Sequence, residues 1–209
     1  PSDPNNFRAA TDEKTRAYYA ETLPNPSFEV FPIGEVAEIG KELGVPLIVD
    51  NTAAPVLCRP FDHGAAITIY SATKFIGGHG TTIGGLLVDS GNFNWSETGK
   101  FKSLSEKEPA YHGLKFHDTF GPYAFIIYSI AVSLRDLGMT SAPQNAFQTL
   151  LGLETLSLRM KKHVSNSIKI ANWLEKHPKI EKVTYAGLKS SQYFNTAKSI
   201  LPKGAGALF

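Results

Sequence analysis

The chain has 209 residues, of which 42% are hydrophobic and 19% charged, a composition typical of a globular protein that buries one full core and begins another. Its 21 lysines and arginines nearly balance 19 aspartates and glutamates, and a formal charge of +2 lacks the basic excess of a nucleic-acid-binding protein. The single cysteine, Cys58, excludes a disulfide framework within the chain and is compatible with a reducing, cytoplasmic location.

The first third of the chain contains signals for a helix and for strand ends. A short helical patch is predicted around residues 13–20, and residues 21–26, with two prolines, indicate a strand that enters a turn. Residues 32–43 carry apolar side chains near helical spacing, and Gly44 supplies a stop. An amphipathic helix is therefore predicted there.

Three short apolar runs, at residues 46–50, 65–70 and 83–88, are continuous rather than alternating. Such runs predict strands buried on both faces, which is typical of a parallel sheet, and the helix between strands favours an α/β fold. Ligands in these folds bind at the carboxyl ends of the strands. Asp50 ends the first run and residues 71–74 follow the second, so we expect these polar groups to meet at a ligand site.

The second half of the chain is predicted to be loop-rich from residue 89 to about 119 and then mainly helical. One helix is predicted over residues 123–137, stopped by Gly138, and helical pattern continues from about 141 to 178. A further strand is predicted at residues 181–185. The large apolar side chains expected to form the buried stripe of the later helix are Phe147, Leu150, Leu151 and Leu158. The longest apolar stretch is about half of the ~20 residues that a membrane-spanning helix needs, so no membrane association is expected.

The segment Ser71–Gly80 (SATKFIGGHG) is the strongest chemical signal, because Lys74 follows two hydroxyl residues and precedes three glycines. A lysine desolvated at the end of a buried strand is a nucleophile able to form an imine. Ser71 and Thr73 could donate hydrogen bonds to a phosphate, and the glycines permit a close approach of the backbone to a ligand. The glycine cluster alone is weak, since it matches neither the dinucleotide fingerprint nor a P-loop.

Three further positions have a functional and a structural interpretation. Asp50 could pair with a cofactor, or it could cap the turn at Asn51 and Thr52. Its position in the sequence does not favour either role over the other. Cys58 is expected to be a packed thiol, and His79 is expected to bond to the backbone. The six histidines show no metal-ligand spacing with one another or with Cys58, so no metal site is predicted.

Residues 49–52 (VDNT) together with the Ser71–Gly80 segment resemble the Cys/Met-metabolism family of pyridoxal-phosphate enzymes. The resemblance extends to Asn25-Pro26 and to residues 152–160 (GLETLSLRM), so it covers nearly the whole chain. It implies pyridoxal 5′-phosphate as the cofactor. It also implies the PLP-dependent transferase fold type I, an α/β fold with a mostly parallel central sheet.

Each site residue receives a role from this resemblance. Lys74 is implied to form a Schiff base with the cofactor and then to move protons, while Asp50 pairs with the ring nitrogen. Ser71 and Thr73 are implied to hold the phosphate, and Asn25 to reach the ring hydroxyl.

The resemblance also implies a domain division and an incomplete site. Residues 1–152 correspond to the PLP-binding large domain without its first portion, and residues 153–209 to the beginning of a small C-terminal α+β domain. Thr52 is implied to lie against the ring. In the family, an earlier segment supplies a glycine–methionine step and a tyrosine that stacks on the cofactor, and a later segment supplies an arginine that binds the substrate carboxylate. Neither segment is present in these 209 residues. We therefore expect the chain to be part of a longer protein.

Residues 58–60 (CRP), 111–121 and 134–138 make the chain most similar to the sulfhydrylase branch of the family. That similarity implies γ-replacement on O-acetyl-L-homoserine with sulfide or a thiol, giving L-homocysteine and acetate in methionine and cysteine biosynthesis. The implied assembly is a homotetramer with sites shared between subunits. Other family activities remain open: methionine γ-lyase, cystathionine γ-synthase or O-succinylhomoserine sulfhydrylase. An alternative of another class is a non-catalytic α/β module that binds a phosphate ligand.

Overall fold

A computed structural model of the chain describes residues 3–209, which contain one mixed sheet. Its strands are β1 (Tyr18–Glu21), β2 (Leu47–Asp50), β3 (Ile67–Ser71) and β4 (Gly85–Asp89). The strands lie in the order β1-β2-β3-β4, and the first three are parallel while β4 is antiparallel to β3. The predicted α/β class with a mostly parallel sheet is confirmed.

Helices precede, connect and follow the strands. The α-helices are α1 (Pro4–Ala10), α2 (Ile33–Leu43), α3 (Lys102–Ser105), α4 (Phe116–Phe120), α5 (Ala124–Tyr128), α6 (Arg135–Leu137), α7 (Pro143–Glu154), α8 (Leu156–Leu174) and α9 (Phe194–Ile200). Three 3₁₀ turns, Pro60–His63, Pro109–Tyr111 and Gly121–Tyr123, and two π-type turns, Ala72–Ile76 and Ser129–Leu134, complete the helical structure of residues 3–209. Within the part described, no helix is both long and apolar enough to cross a membrane.

The amphipathic helix predicted at residues 32–43 is confirmed as α2. Ile33 and Val36 are fully buried against the sheet core, as the apolar spacing requires. Gly44 ends the helix in the left-handed conformation, with φ +63°, and its N–H donates to the carbonyls of Gly40 and Lys41. The helical prediction for residues 123–137 is also confirmed, since the short helices from Gly121 to Leu137 follow one another without a break.

The helix predicted around residues 13–20 is wrong. The helix lies earlier, at Pro4–Ala10, where Asp3 accepts a hydrogen bond from the N–H of Asn5 and Pro4 occupies the first turn. Tyr18 instead begins β1, because its N–H donates to the Pro46 carbonyl at 2.9 Å beside β2. Strand pairing therefore outweighs the weak helical preference of this segment.

β4 forms close to the predicted run but differs from it in direction and burial. The strand is antiparallel to β3, and Leu86, Leu87 and Val88 are 41–45% exposed rather than buried on both faces. The reason is its position, because β4 lies at the edge of the sheet formed by residues 3–209 and pairs only with β3.

The buried stripe predicted for the later helix is wrong. That helix is two helices, α7 and α8, with a break at Thr155 (φ −105°, ψ 2°). The side chains predicted to be buried are instead 48–69% exposed: Phe147, Leu150, Leu151 and Leu158. The buried positions are Gly152, Leu156, Met160, Ser167 and Ala171. Phe147, Leu150 and Leu151 precede the break and lie on a face of α7 that residues 3–209 do not cover, whereas Leu158 follows the break, where the helical period of α7 no longer applies.

Residues 181–185 form no strand, which contradicts the prediction. Tyr185 is instead anchored by its side chain, which is 2% exposed and donates to the Gly206 carbonyl at 3.0 Å. A strand requires a neighbour for its backbone groups, and no pairing with residues 181–185 occurs among residues 3–209.

Two buried clusters support the sheet. The larger lies around α2 and β2 and includes Leu156 and Met160, so residues after position 152 share a core with those before it. The second contains aromatic side chains, among them Trp95, which stacks on Phe125 with ring centroids 4.8 Å apart. The domain division at residue 152 stays a prediction.

Candidate functional site

The carboxyl ends of β1, β2 and β3 lie side by side at one edge of the sheet. Glu21 is paired with Asp50 across β1 and β2, and Asp50 with Ile69 across β2 and β3. Just beyond these strands, the N–H of Ser71 donates to Thr52 Oγ1 at 2.7 Å. Asp50 and the turn that follows β3 are thereby brought to the same edge, as expected for a ligand site.

A buried polar network lies beneath this edge and joins the three strands. Thr22 donates to Asn51 Oδ1 at 2.8 Å, and both residues are fully buried. Asn51 Nδ2 donates to the Cys58 carbonyl at 3.2 Å and to the Tyr70 hydroxyl at 3.3 Å. Because each buried polar group has a partner, the network fixes the strand ends relative to one another.

The Asp50 carboxylate is held by two hydrogen bonds. Its Oδ1 accepts the Thr52 N–H at 2.9 Å, which is the capping role considered from the sequence, and its Oδ2 accepts the Tyr19 hydroxyl at 3.1 Å. A carboxylate has about four acceptor positions, so two remain for a ligand. Capping the turn and binding a ring nitrogen are therefore compatible functions of one side chain.

Tyr19 was not identified from the sequence, although it contacts the candidate acid directly. Partial burial, followed by the charge of Asp50 and the hydrogen bond to it, raises the pKa of Tyr19 to about 12. The tyrosine thus remains a hydrogen-bond donor to Asp50 at neutral pH. Its place two residues before Glu21 on β1 puts it on the face of Glu21, but only the register with β2 reveals the contact.

Lys74 lies in the π-type turn Ala72–Ile76, directly after β3. Its backbone (φ −88°, ψ −122°) departs from helical geometry, while Ala72 and Ile76 on either side are buried. The Lys74 side chain is exposed, so residues 3–209 do not themselves supply the desolvation that would make its amine a nucleophile. The turn lies at the sheet edge, where the flanking residues anchor the backbone and leave the amine accessible to a ligand.

The two hydroxyl residues expected to hold a phosphate differ in their contacts. Thr73 Oγ1 accepts the Gly84 N–H at 3.1 Å and lies 3.4 Å from the Gly84 carbonyl, so it links the lysine turn to the segment before β4. The Ser71 hydroxyl bonds to no side chain or backbone group of residues 3–209, which leaves it available to a ligand. Of the two hydroxyls, that of Ser71 is therefore the more available as a donor to a phosphate.

Asn25 lies in the turn after β1, on the same edge as Asp50. The Asn25 side chain is exposed, and its backbone N–H donates to Glu21 Oε2 at 3.2 Å. No hydrogen bond joins Asn25 to Asp50 or Lys74 in the described residues, so its role toward a ring hydroxyl stays a prediction.

The structural interpretations of His79 and Cys58 are confirmed. His79 Nδ1 lies 2.8 Å from the Gly77 carbonyl, a local contact within the glycine segment. Cys58 is 2% exposed, and desolvation, with a smaller effect from Asp62, raises the pKa of its thiol to about 12. Among residues 3–209 no three histidine, cysteine or acidic side chains are grouped to hold a metal ion.

The chemistry of this edge fits pyridoxal phosphate. A carboxylate with free acceptor positions, an accessible primary amine and an unengaged hydroxyl are the groups needed for a ring nitrogen, a carbonyl carbon and a phosphate. Gly78 and Gly80, with φ of +76° and +66°, adopt a backbone conformation after Lys74 that residues with a side chain rarely adopt.

Comparison with known proteins gives relatives over nearly the whole chain. It is 50% identical to the O-acetyl-L-homoserine sulfhydrylase of Leptospira meyeri, over 97% of this chain and 48% of that protein. It is 48% identical to the homocysteine synthase of Schizosaccharomyces pombe, over 99% of this chain and 49% of that protein. The chain therefore spans about half the length of the curated relatives it matches.

Solved structures give the same result. The chain superimposes with a TM-score of 0.93 and 37% identity on a Campylobacter jejuni protein described as an O-acetylhomoserine (thiol)-lyase, over 98% of this chain and 52% of that one. That crystal structure contains N′-pyridoxyl-lysine-5′-monophosphate. An O-acetylhomoserine sulfhydrylase of Wolinella succinogenes matches with a TM-score of 0.84 and 31% identity, over 99% and 56% of the two chains.

The family model for Cys/Met metabolism PLP-dependent enzymes matches residues 1–209, the full length of the chain. With the relatives and the geometry of the strand ends, this match establishes that the chain belongs to the Cys/Met metabolism PLP-dependent enzyme family.

Proposed function

We propose that the protein containing this chain is a pyridoxal-phosphate-dependent transferase that acts on O-acetyl-L-homoserine. It replaces the acetoxy group at the γ-carbon with sulfide or a thiol and releases acetate, and with sulfide the product is L-homocysteine. The observation that carries the proposal is the accessible amine of Lys74 directly beyond β3, at the sheet edge where Asp50 ends β2. The names of the relatives support the choice of substrate.

Lys74 and Asp50 divide the chemistry between an amine and an acid. When bound, pyridoxal phosphate supplies a sink for the electrons released at the α-carbon of the substrate. Lys74 would hold the cofactor through its amine, and the same amine, when free, would accept the α-proton of the substrate and move it. Asp50, kept in place by Thr52 and Tyr19, balances the positive charge of a protonated ring nitrogen.

Hydroxyl and amide groups at the same edge provide the remaining contacts. Ser71 would donate to the phosphate, and Thr73 would do so once its hydroxyl is released from Gly84. Asn25 would reach the ring hydroxyl from the turn after β1, and Thr52 would lie against the ring. Support for these roles comes from the positions of all four residues at the carboxyl ends of the three parallel strands.

The proposal includes an assembly, a location and a domain division. A homotetramer with shared sites is supported by the exposed apolar side chains of α7 and β4, which residues 3–209 do not cover. A cytoplasmic location is compatible with the single, buried Cys58. A boundary near residue 152 is supported by the break between α7 and α8 at Thr155.

The decisive experiment identifies the residue that carries the cofactor in the full-length protein. Its visible absorbance is recorded, and borohydride reduction followed by peptide mapping is expected to place the reduced cofactor on Lys74. Lys74→Ala is expected to lose that adduct and at least about 100-fold in turnover, since a positioned general base contributes about that much or more. Lys41→Ala, on the exposed side of α2, is the matched control and keeps both.

The products separate this activity from its alternatives. With O-acetyl-L-homoserine and sulfide, stoichiometric acetate and homocysteine are expected. An oxo-acid with ammonia would instead indicate a lyase. A protein without visible absorbance and without a borohydride adduct would be a phosphate-binding module and not an enzyme of this kind.

A further inference from the structure

Arg159, on α8, binds the backbone of the turn that carries Lys74. Its Nη1 donates to the Phe75 carbonyl at 2.7 Å and its Nη2 to the Ile76 carbonyl at 3.2 Å. Phe75 and Ile76 are the two residues directly after Lys74, more than 80 positions before Arg159 in the chain. A side chain from the second half of the chain therefore fixes the course of the lysine turn.

The same guanidinium also binds the break between α7 and α8. Its Nη2 donates to the Gly152 carbonyl at 2.7 Å, and its Nε donates to Thr155 Oγ1 at 3.0 Å. The donors of a guanidinium lie in one rigid plane, so bonds to both segments hold one against the other. None of the ion pairs within residues 3–209 includes Arg159, and all four bonds go to neutral acceptors.

Two glycines make room for this contact. A Cβ atom at Gly78 would lie 2.7 Å from Arg159 Cζ, and one at Gly152 would lie 2.2 Å from the Gly77 carbonyl oxygen. Both distances are far inside van der Waals contact, so neither position accepts a side chain without displacing the guanidinium or the turn. The glycines of the two family motifs thus serve one shared contact.

The lysine turn is held at both of its ends. Before Lys74, the Ser71 N–H is bound by Thr52 Oγ1, next to Asp50. After Lys74, the carbonyls of Phe75 and Ile76 are bound by Arg159. The exposed Lys74 side chain itself has no hydrogen-bond partner among residues 3–209, so its direction depends on the backbone that carries it.

We propose that Arg159 is a positioning residue that holds the Lys74 turn and so directs the lysine amine toward the cofactor at Asp50. The inference rests on the proposed function, because the direction of this amine matters only if Lys74 carries the cofactor. Arg159 itself touches the turn, not the reacting atoms.

The test compares Arg159→Lys, Arg159→Ala and Thr155→Val in the full-length protein. Thr155→Val removes the hydroxyl that accepts from Arg159 Nε and donates to the Gly152 carbonyl at 3.4 Å, and Arg159→Lys keeps the charge without the planar donors. Arg8→Lys is the control, because the Arg8 guanidinium also joins two elements, α1 and α2, here through two bonds to the Glu42 carboxylate. Amide exchange of the cofactor-free protein, the rate of pyridoxal phosphate uptake, and kcat and KM are measured for each.

The amides of Gly77 and Gly78 report on the turn directly, since they donate to the Ala72 and Lys74 carbonyls. In both Arg159 variants these amides are expected to exchange at least about tenfold faster, because several charge-assisted hydrogen bonds are lost. Uptake of pyridoxal phosphate is expected to slow, and kcat to fall about tenfold or more while KM stays within about twofold. Arg159→Lys is expected to lose less than Arg159→Ala, and Arg8→Lys to behave as the parent protein.

Unchanged exchange, uptake and kcat in Arg159→Lys and Thr155→Val would overturn the positioning role, and these two variants suffice if Arg159→Ala does not fold. Equal losses in the Arg8→Lys control would also overturn it, since the effect would then be general destabilisation. The proposed function fails separately: a Lys74→Ala protein that still forms a borohydride-stable adduct removes the role of Lys74, whatever Arg159 does.

Discussion

Lys74 and Asp50 are held in different ways, although both lie at the same edge of the sheet. Asp50 is fixed by hydrogen bonds from Thr52 and Tyr19, whereas Lys74 is fixed only through the backbone of its turn. Asp50 thus keeps one position, while the Lys74 side chain is free to move. This mobility suits an amine that must bind a cofactor, release it and then transfer protons.

The charge of Asp50 can be removed with little change in shape. Asp50→Asn retains one oxygen that accepts the Thr52 N–H, and its amide group can donate to the Tyr19 hydroxyl in place of the second oxygen, so the turn is expected to keep its structure. Without the negative charge opposite the ring nitrogen, kcat/KM is expected to fall roughly 100-fold or more. Steady-state kinetics of the full-length protein test this, with Asp62→Asn, an exposed acid beside Arg59, as control. Parent-like kinetics in Asp50→Asn would contradict the role of the acid.

Tyr19 gives a pH dependence with a defined sign. Its pKa is raised to about 12 in the folded protein, mainly by desolvation and then by Asp50, whereas an unfolded tyrosine ionises near pH 10. The folded state therefore favours the protonated form, and this stabilisation is fully present below about pH 10 and lost as the pH rises toward 12.

Ultraviolet difference titration of the parent protein against Tyr19→Phe isolates this phenolate. Its midpoint is expected near pH 12, and Asp50→Asn is expected to lower it. A midpoint at about pH 10 would show that the hydroxyl is not bound to the carboxylate in solution.

At the scale of elements, two helical glycines have opposite surroundings and make a matched pair. A Cβ at Gly152 would lie 2.2 Å from the Gly77 carbonyl, whereas a Cβ at Gly34 meets no atom within 4 Å. Gly152→Ala is expected to destabilise the protein by about 1–3 kcal/mol, as overpacking does. Gly34→Ala, inside α2, is expected to stabilise it by about 0.5–1 kcal/mol. Thermal or urea unfolding measures both, and equal shifts would contradict the close packing of α7 on the lysine turn.

The elements that local sequence could predict are those whose signals lie within a few residues. The spacing of Ile33 and Val36 and the stop at Gly44 define α2, and the apolar run before Asp50 defines β2. Residues 181–185 carry an equally good strand signal and form none, because a strand exists only with a partner. The prediction that the apolar side chains of α7 are buried is wrong for a different reason. Apolar spacing indicates that a helix face is covered, but it does not identify the element or subunit that covers it.

For the candidate site, too, only the residues with a local sequence signal could be predicted. Lys74 and Asp50 follow their strands directly, so the sequence places them at the sheet edge. Tyr19 and Arg159 could not be found this way, because one depends on the register of two strands and the other on a contact across more than 80 residues.

At the scale of the whole molecule, residues 3–209 leave much apolar surface in contact with solvent. An open cavity of about 800 Å³ runs between the sheet and the helices of residues 124–134, lined among others by Ile48, Leu87 and Trp95. The outer edge of β4 is unpaired within this part of the chain. An edge strand and a large apolar surface of this kind favour association with further protein.

Residues 1–209 produced alone are therefore expected to self-associate and to bind an apolar dye, in contrast to the full-length protein. Light scattering after size-exclusion chromatography measures the association. Substituting Leu86 and Val88 with lysine on β4 is expected to reduce it, because charge on an edge strand opposes pairing. A monodisperse monomer that binds no dye would show that these surfaces are covered within the chain itself.

The buried amide of Asn51 also governs which alignments of the sheet are allowed. If β1 slipped by one position against β2, Thr22 would no longer reach Oδ1, and a carbonyl oxygen deep in the interior would lose its donor. Such an orphaned group costs about 1–3 kcal/mol, enough to make the misaligned sheet a minor species. The bond from Asn51 Nδ2 to the Tyr70 hydroxyl sets the same condition between β2 and β3, so the spacing between the lysine and the acid is enforced while the chain folds, before any cofactor arrives.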